Sequence, residues 1–369
     1  FDLAGIDTSM VRDMSNLFRG CSSLVEVVLP NTWSYGNVKT MESMFSGCSA
    51  LQRVSLLREP EGAHGTSLPL LDTGSVASFR NLFDGCTQLG LGAAQSLVCV
   101  LDTSGAQYLD YMFSGCSSLA SLDVSSFETR SVTGFSSMFE DCYSLHTLAQ
   151  NFDMRSARWT ESMFRRCARL REVKLPAAGE QDTHVQPQRA HPASMFAGCT
   201  NLERVSLGGL LSHPLTSTWH LFAYCTSLKE VSIEGMDTAG AQDMGGMFAG
   251  CESLRHIYGV ESLQTGSATT FGMMFSSCRK LEELDLHHWD TRLLRTFSHM
   301  FRGCISLKKL DIRGWDTSSV IAIGHAFDGA YAHMEIKGYD GLTFPRITTR
   351  SQYADFAPPD FSRTMGHKS

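Results

Sequence analysis

MFSGCSAL at residues 44–51, MFSGCSSL at 112–119, MFAGCTNL at 195–202 and MFRGCISL at 300–307 are four copies of one phrase. Relaxed to [ML]-F-x-x-C-x-x-L, the phrase occurs eleven times, with cysteines at 21, 48, 86, 116, 142, 167, 199, 225, 251, 278 and 304. A degenerate copy, Ala326-Phe327-Asp328-Gly329-Ala330, puts Ala330 in the cysteine slot. Successive spacings are 27, 38, 30, 26, 25, 32, 26, 26, 27, 26 and 26 residues. The unit is therefore 26 residues with three insertions, and a fixed period of this length means a stacked repeat architecture.

Working outward from the cysteine, each unit has two halves. Downstream comes L-x-x-[LV]-x-[LIV], as in Leu51-Gln52-Arg53-Val54-Ser55-Leu56, whose apolar-polar-apolar ending reads as a short strand with one buried face. Next stands an apolar residue with Asp-Thr, as in Trp289-Asp290-Thr291, Trp315-Asp316-Thr317 and Met236-Asp237-Thr238. Apolar residues then recur at i, i+3, i+6 and i+7, as in Val38, Met41, Met44 and Phe45, a spacing that predicts two turns of helix capped by the Asp-Thr oxygens. Neither half buries its apolar face alone, so the units must stack. The expected fold is an α/β right-handed leucine-rich-repeat solenoid of about twelve units, with a parallel β-sheet on one face and short helices on the other.

The string F/W-D-T-S-x-V-x-x-M-x-x-M-F-x-G-C-x-x-L-x-x-L-x-L resembles the BspA-like leucine-rich-repeat family of bacterial and protist surface proteins. The resemblance runs from Phe1 to about residue 336. It implies a secreted or surface-attached, adhesin-like protein that binds host or matrix proteins, placed extracellularly or at the cell surface. It brings no catalytic residues with it. The alternative is a scaffolding subunit inside a larger, intracellular assembly.

Bulk composition narrows the partners. A net charge of −7, from 38 acidic and 31 basic residues, offers no case for nucleic acid, which calls for a basic face. No stretch approaches the ~20 apolar residues that span a bilayer. The cysteines lack the close C-x-x-C clustering of zinc sites, so no metal and no cofactor is expected. They read instead as a ladder of buried free thiols, with Cys99 in the core outside it. Eleven of the seventeen methionines occupy the two helix slots and read as core filler. The thirteen histidines form no H-E-x-x-H, and no Ser/His/Asp arrangement emerges from spacing, so an enzyme is not expected.

The outward strand positions carry the candidate binding residues. Glu172, Arg204, Glu230, His256, Glu283 and Lys309 occupy one slot in successive units, with signs that largely alternate. In-register stacking makes them neighbours, either as a charge ladder that fixes register or as a mixed-charge recognition face. Arg53 and Tyr258 are outward positions of the same kind. The insertions at 57–68 and 176–193 leave the unit after its strand and can overhang this face. The expected boundaries are 1–336 for the solenoid and 337–369 for a C-terminal cap and tail. The chain starts inside a strand, which predicts upstream repeats or an N-terminal cap outside this sequence.

Overall fold

In this computed structural model the described residues are 3, 5–30, 32–56, 71–90, 101–175, 189–208, 210, 214–332 and 334–347. Packing divides the chain into two units, Phe1–Gln186 and Pro187–Ser369. Both are built from the same coil, one repeat per turn of chain. The insertion at 57–68, Cys99, most of the insertion at 176–193 and residues 348–369 of the expected tail lie outside the described residues.

The first unit carries β1 (Glu26–Leu29), β2 (Arg53–Leu56), β3 (Ser121–Val124), β4 (Thr147–Gln150) and β5 (Glu172–Lys174). β1 and β2 pair in parallel, with Glu26 opposite Arg53 and Leu29 opposite Leu56. β3 pairs with β4 in the same way, Ser121 opposite Thr147. The second unit carries β6 (Arg204–Ser206), β7 (Glu230–Ser232), β8 (His256–Tyr258), β9 (Glu283–Asp285), β10 (Lys309–Asp311) and β11 (Glu335–Lys337). Here β7 pairs with β8, and β9, β10 and β11 form a three-stranded parallel sheet. The alternation is as expected: in β1, Val27 and Leu29 are buried while Glu26 and Val28 face out. Each unit is thus a parallel-strand solenoid of leucine-rich-repeat type.

The expected helix is replaced. Among the described residues there is no α-helix. The Met-Phe half of each coil is instead a run of linked turns bonded to the next coil. The N–H groups of Met41, Ser43, Phe45 and Gly47 donate to the carbonyls of Ser78, Arg80, Leu82 and Asp84 in the following coil. The intervening N–H groups of Met44, Ser46 and Cys48 donate to carbonyls three residues back. Phe248 and Phe275 repeat the pattern in the second unit, donating to Met274 and Met300. This geometry needs a left-handed residue every fourth position, and Ser43 (φ 57°) and Gly47 (φ 74°) supply it. A left-handed residue every four positions cannot continue an α-helix. The four-residue period still buries Val38, Met41, Met44 and Phe45 completely, which is why the apolar spacing imitates a helix.

The ladder's side chains stack in register. Phe18, Phe45, Phe83, Phe113, Phe139 and Phe164 form a column with centroids 5.3, 5.4, 5.7, 5.7 and 5.5 Å apart. Phe196, Phe222, Phe248, Phe275 and Phe301 do the same in the second unit, at 5.5, 5.7, 5.9 and 6.0 Å. The motif cysteines are buried except Cys21, which is exposed, a departure from the expected all-buried ladder because no described coil covers the Cys21 side of the first turn. The thiols of Cys48, Cys86, Cys116, Cys142, Cys167, Cys225, Cys251, Cys278 and Cys304 each donate to a phenylalanine carbonyl of the coil before. Phe45 O accepts both Cys48 N–H (3.1 Å) and Cys86 Sγ–H (3.1 Å), so the thiol fills the carbonyl's second lone pair. Burial raises these thiols, to about 12 for Cys251 and Cys304, and keeps them protonated as donors.

The Asp-Thr pair does not cap a helix but bridges coils. Thr103 Oγ1 donates to Glu128 O (3.2 Å) and accepts from Glu128 N–H (2.8 Å). Thr291 makes the same pair with Asp316, at 3.0 and 2.8 Å. The aspartate closes a turn, Asp102 Oδ1 accepting from Ser104 N–H at 2.9 Å and Asp316 Oδ1 from Ser318 N–H at 2.8 Å.

Candidate recognition edge

The expected binding residues all lie on the strands. Arg53, Glu172, Arg204, Glu230, His256, Glu283 and Lys309 open β2, β5, β6, β7, β8, β9 and β10, and Tyr258 closes β8. The pleat decides this: the middle residue of each strand is turned into the core, so its neighbours face out. Registered pairing brings Glu230 opposite His256 and Glu283 opposite Lys309. Lys309 Nζ lies 2.6 Å from Glu283 Oε1, and Tyr258 Oη reaches Glu230 Oε2 at 3.5 Å. His256 and Tyr258, two residues apart, present their rings 6.3 Å apart. In the first unit Arg53 Nη2 lies 2.5 Å from Glu26 Oε1, and Lys174 Nζ is 3.0 Å from Glu172 Oε1.

Partners that sequence reading passed over complete the edge. Glu26 faces Arg53, and Glu335 is the register partner of Lys309 on its other side. One residue upstream, Lys308 Nζ lies 2.9 Å from Glu282 Oε2. The signal was available for Glu26 and Glu335, which continue the largely alternating slot of Arg53 and Lys309. Hydrogen bonds fix the charge states: Arg53 holds the Glu26 carboxyl below its usual range, Lys308 does so for Glu282, and Glu283 raises Lys309.

One stretch breaks the alternation. Asp285 and Asp311 are like charges on adjacent strands, in direct register. Each is answered from two residues on: His287 Nδ1 sits 2.5 Å from Asp285 Oδ1, and Arg313 Nη2 sits 2.7 Å from Asp311 Oδ2. Arg313 holds Asp311 down at about 2, and His287 lowers Asp285. Asp285, His287 and Asp311 offer ligand atoms within 4.8 Å of one another, the one grouping among the described residues with the spacing to hold a metal. Their carboxylates are already occupied, each also accepting the backbone N–H two residues on, at 3.2 Å in both cases. The edge thus pairs Glu26 with Arg53, Glu282 with Lys308, Glu283 with Lys309 and Asp311 with Arg313, beside the rings of His256 and Tyr258. Such groups suit recognition by charge.

A family profile described as "Mycoplasma protein of unknown function, DUF285" matches residues 1–57, 55–175 and 216–338. The chain belongs to the DUF285 family. This is a repeat family of the BspA type, in agreement with the resemblance carried by the Met-Phe-x-Gly-Cys motif. No curated protein matches the DUF285 chain significantly in sequence. Among solved structures, a leucine-rich repeat protein from Bacteroides ovatus shares 19% identity, covers 92% of this chain and 86% of its own, and gives a TM-score of 0.43. A leucine rich cell surface protein from Faecalibacterium prausnitzii shares 16% identity over 89% of this chain and 81% of its own, with a TM-score of 0.39. A leucine-rich repeat protein from Eubacterium ventriosum shares 13% identity over 86% and 80%, with a TM-score of 0.41. Among the described residues of the DUF285 chain, no helix is long and apolar enough to cross a membrane.

Proposed function

We propose that this chain is a non-catalytic protein-binding solenoid whose strand edge recognises the mixed-charge surface of another protein. The observation that carries this reading is the row of outward residues in register, Glu230 beside His256 and Glu283 beside Lys309, on a backbone fixed by stacking. Rigid presentation matters because groups already held in place lose little entropy on binding. Tyr258, exposed and next to His256, has the amphipathic ring that anchors interfaces. The resemblance to BspA-like proteins supports a place outside the cell or on its surface, with host or matrix proteins as partners.

The test starts from extracellular matrix and serum proteins passed over the immobilised chain, with recovered partners measured by surface plasmon resonance. Arg204→Glu and His256→Asp should each weaken binding by about tenfold or more, while the melting temperature stays within a degree or two. Arg158→Glu, an exposed change on the turn side, should leave affinity alone. Loss of binding with Arg158→Glu but not with the strand variants would refute the strand-edge reading and favour a subunit docked through its turns.

A further inference from the structure

The strand face of the second unit has a symmetry that register pairing alone does not require. β6 to β11 belong to six consecutive coils, linked on the turn side by N–H donations from Phe196, Phe222, Phe248, Phe275 and Phe301, each to the following coil. The residues that open these strands, all exposed, are Arg204, Glu230, His256, Glu283, Lys309 and Glu335. From β6 to β11 the column alternates basic donor and acid. From β11 to β6 it alternates acid and basic donor. Turned end for end, the column is therefore complementary to itself.

We propose that this face docks on the same face of a second copy of the chain, about a twofold axis that runs along the strands between β8 and β9. The inference rests on the strand-edge reading above and names its partner. Such an axis reverses the order of the coils and sets each column against itself. Arg204 of one copy then meets Glu335 of the other, Glu230 meets Lys309 and His256 meets Glu283, and each contact occurs twice. The next outward column agrees. Tyr258 meets Asp285 and Ser232 meets Asp311, so hydroxyl donors face carboxylates, while Ser206 meets Lys337. Asp285 and Asp311, like charges in register within one chain, thus gain donors from the other. The place of the axis is selected as well. Centred on β9, it would set Glu283 against itself and Glu230 against Glu335. Centred between β9 and β10, it would set Asp285 against Asp311. Like charges facing each other cost a pairing several kcal/mol, which is how wrong partners are suppressed. One contact runs the other way. In the column before the strands Arg255 meets Glu282, but Lys229 meets Lys308, which Glu282 of its own chain holds at 2.9 Å. The pairs within the chain leave the face open: the side chains of Lys309 and Glu283 are 60% and 64% exposed, and a carboxylate accepts more than one donor. The contact is narrow and polar, so the dimer is a weak and salt-sensitive one.

The experiment is sedimentation equilibrium of the full chain over a concentration series, at low and high sodium chloride. The parent should dimerise in the micromolar to sub-millimolar range, and less at high salt. Glu230→Lys alone makes lysine face lysine at two contacts, and Lys309→Glu alone makes acid face acid at the same two. Each should weaken self-association by about tenfold or more. An equimolar mixture of the two variants should dimerise as the parent does, because in the mixed pair both contacts are again opposite in sign. A change that acted through folding or through pairing within one chain would not be rescued by mixing. Arg158→Glu on the turn side should leave association unchanged. A parent that stays monomeric at every concentration, single variants that dimerise as the parent does, or a mixture no tighter than its components would overturn the proposal. A monomer that still captures a matrix or serum protein through Arg204 and His256 would overturn the second copy as partner and leave the strand-edge reading standing.

Discussion

The two edges of each coil divide the work of the repeat. The turn edge links neighbouring coils through four backbone hydrogen bonds per step, for example from Met41, Ser43, Phe45 and Gly47, and through a Phe stack, a thiol donor and a threonine bridge. Nearly all of it is buried, and its sequence repeats. The described strands are three or four residues long, and their outward side chains change from coil to coil. The lesson is that cohesion and recognition sit on different edges, so the strand positions can vary without loosening the stack. Along the turn edge itself both units mix paired side chains with exposed rings: Arg80 to Asp110 and Arg165 to Glu140 at 2.9 Å with Tyr111 and Trp159 exposed in the first, and His325 to Asp328 at 2.6 Å with Trp219 and Tyr224 exposed in the second.

The comparison breaks most visibly in the Phe column. Phe248 is fully buried between Phe222 and Phe275, and Phe248→Ala should cost about 3–5 kcal/mol in urea unfolding, by lost contact and an unfilled cavity. A cost under ~1 kcal/mol would mean that the stack is not structural. The threonine bridge comes next. Thr291→Val keeps the shape but strands the N–H and carbonyl of Asp316, and should cost about 1–3 kcal/mol. If Val were neutral, water must serve those groups and the bridge would be dispensable.

A pH effect of intermediate size should arise at the end of the second ladder. His299 and His325 stack at 4.8 Å with planes 7° apart, and His299 Nδ1 is buried without a partner. Burial first, then His325 and Arg302, push the His299 pKa below its ordinary 6.5, with Asp328 opposing them. The folded chain therefore takes up this proton less readily than the unfolded one. The stability it contributes is present above about 6.5 and is lost as pH falls through the folded value. The parent melting temperature should drop further between pH 7 and pH 5 than that of His299→Asn, a variant suited to the left-handed backbone at φ 59°. Parallel pH curves would remove His299 from the account. The smallest effect belongs to the strand edge. Lys309→Glu sets three acids in register with Glu283 and Glu335, yet all are solvated, so the melting temperature should move less than in any change above. A drop as large as that of Phe248→Ala would show that the charge ladder, too, holds the fold.

Much of this was legible in the sequence because in-register stacking turns a period into a column. Eleven cysteines and the phenylalanines three residues before them had to superpose, and they do within each unit. The helix was misread because linked turns with a left-handed residue every fourth position bury Val38, Met41, Met44 and Phe45 just as a helix would. The discriminating signal was the Ser or Asn before Met and the Gly before Cys. Asp-Thr was misread for the same reason: its oxygens do satisfy backbone N–H groups, but Thr103 and Thr291 reach across to the next coil. On the strand edge the pairing of Glu283 with Lys309 followed from spacing alone. Asp285 and Asp311, which close their strands, and His287 and Arg313, in the turns that follow, were missed because one column of strand-opening residues does not sample them.

Residue-resolved hydrogen exchange tests the division of labour most directly. The ladder amides of Phe222, Phe248 and Phe275 donate to Met247, Met274 and Met300, and the strand-side amides of Ile233 and Leu286 donate to Tyr258 and Asp311. If the turn edge holds the coils together, the three Phe amides should exchange only through global unfolding, while Ile233 and Leu286 also exchange through local opening of their short strands. Slower exchange at Ile233 and Leu286 than at the Phe amides would contradict the account and return cohesion to the sheet.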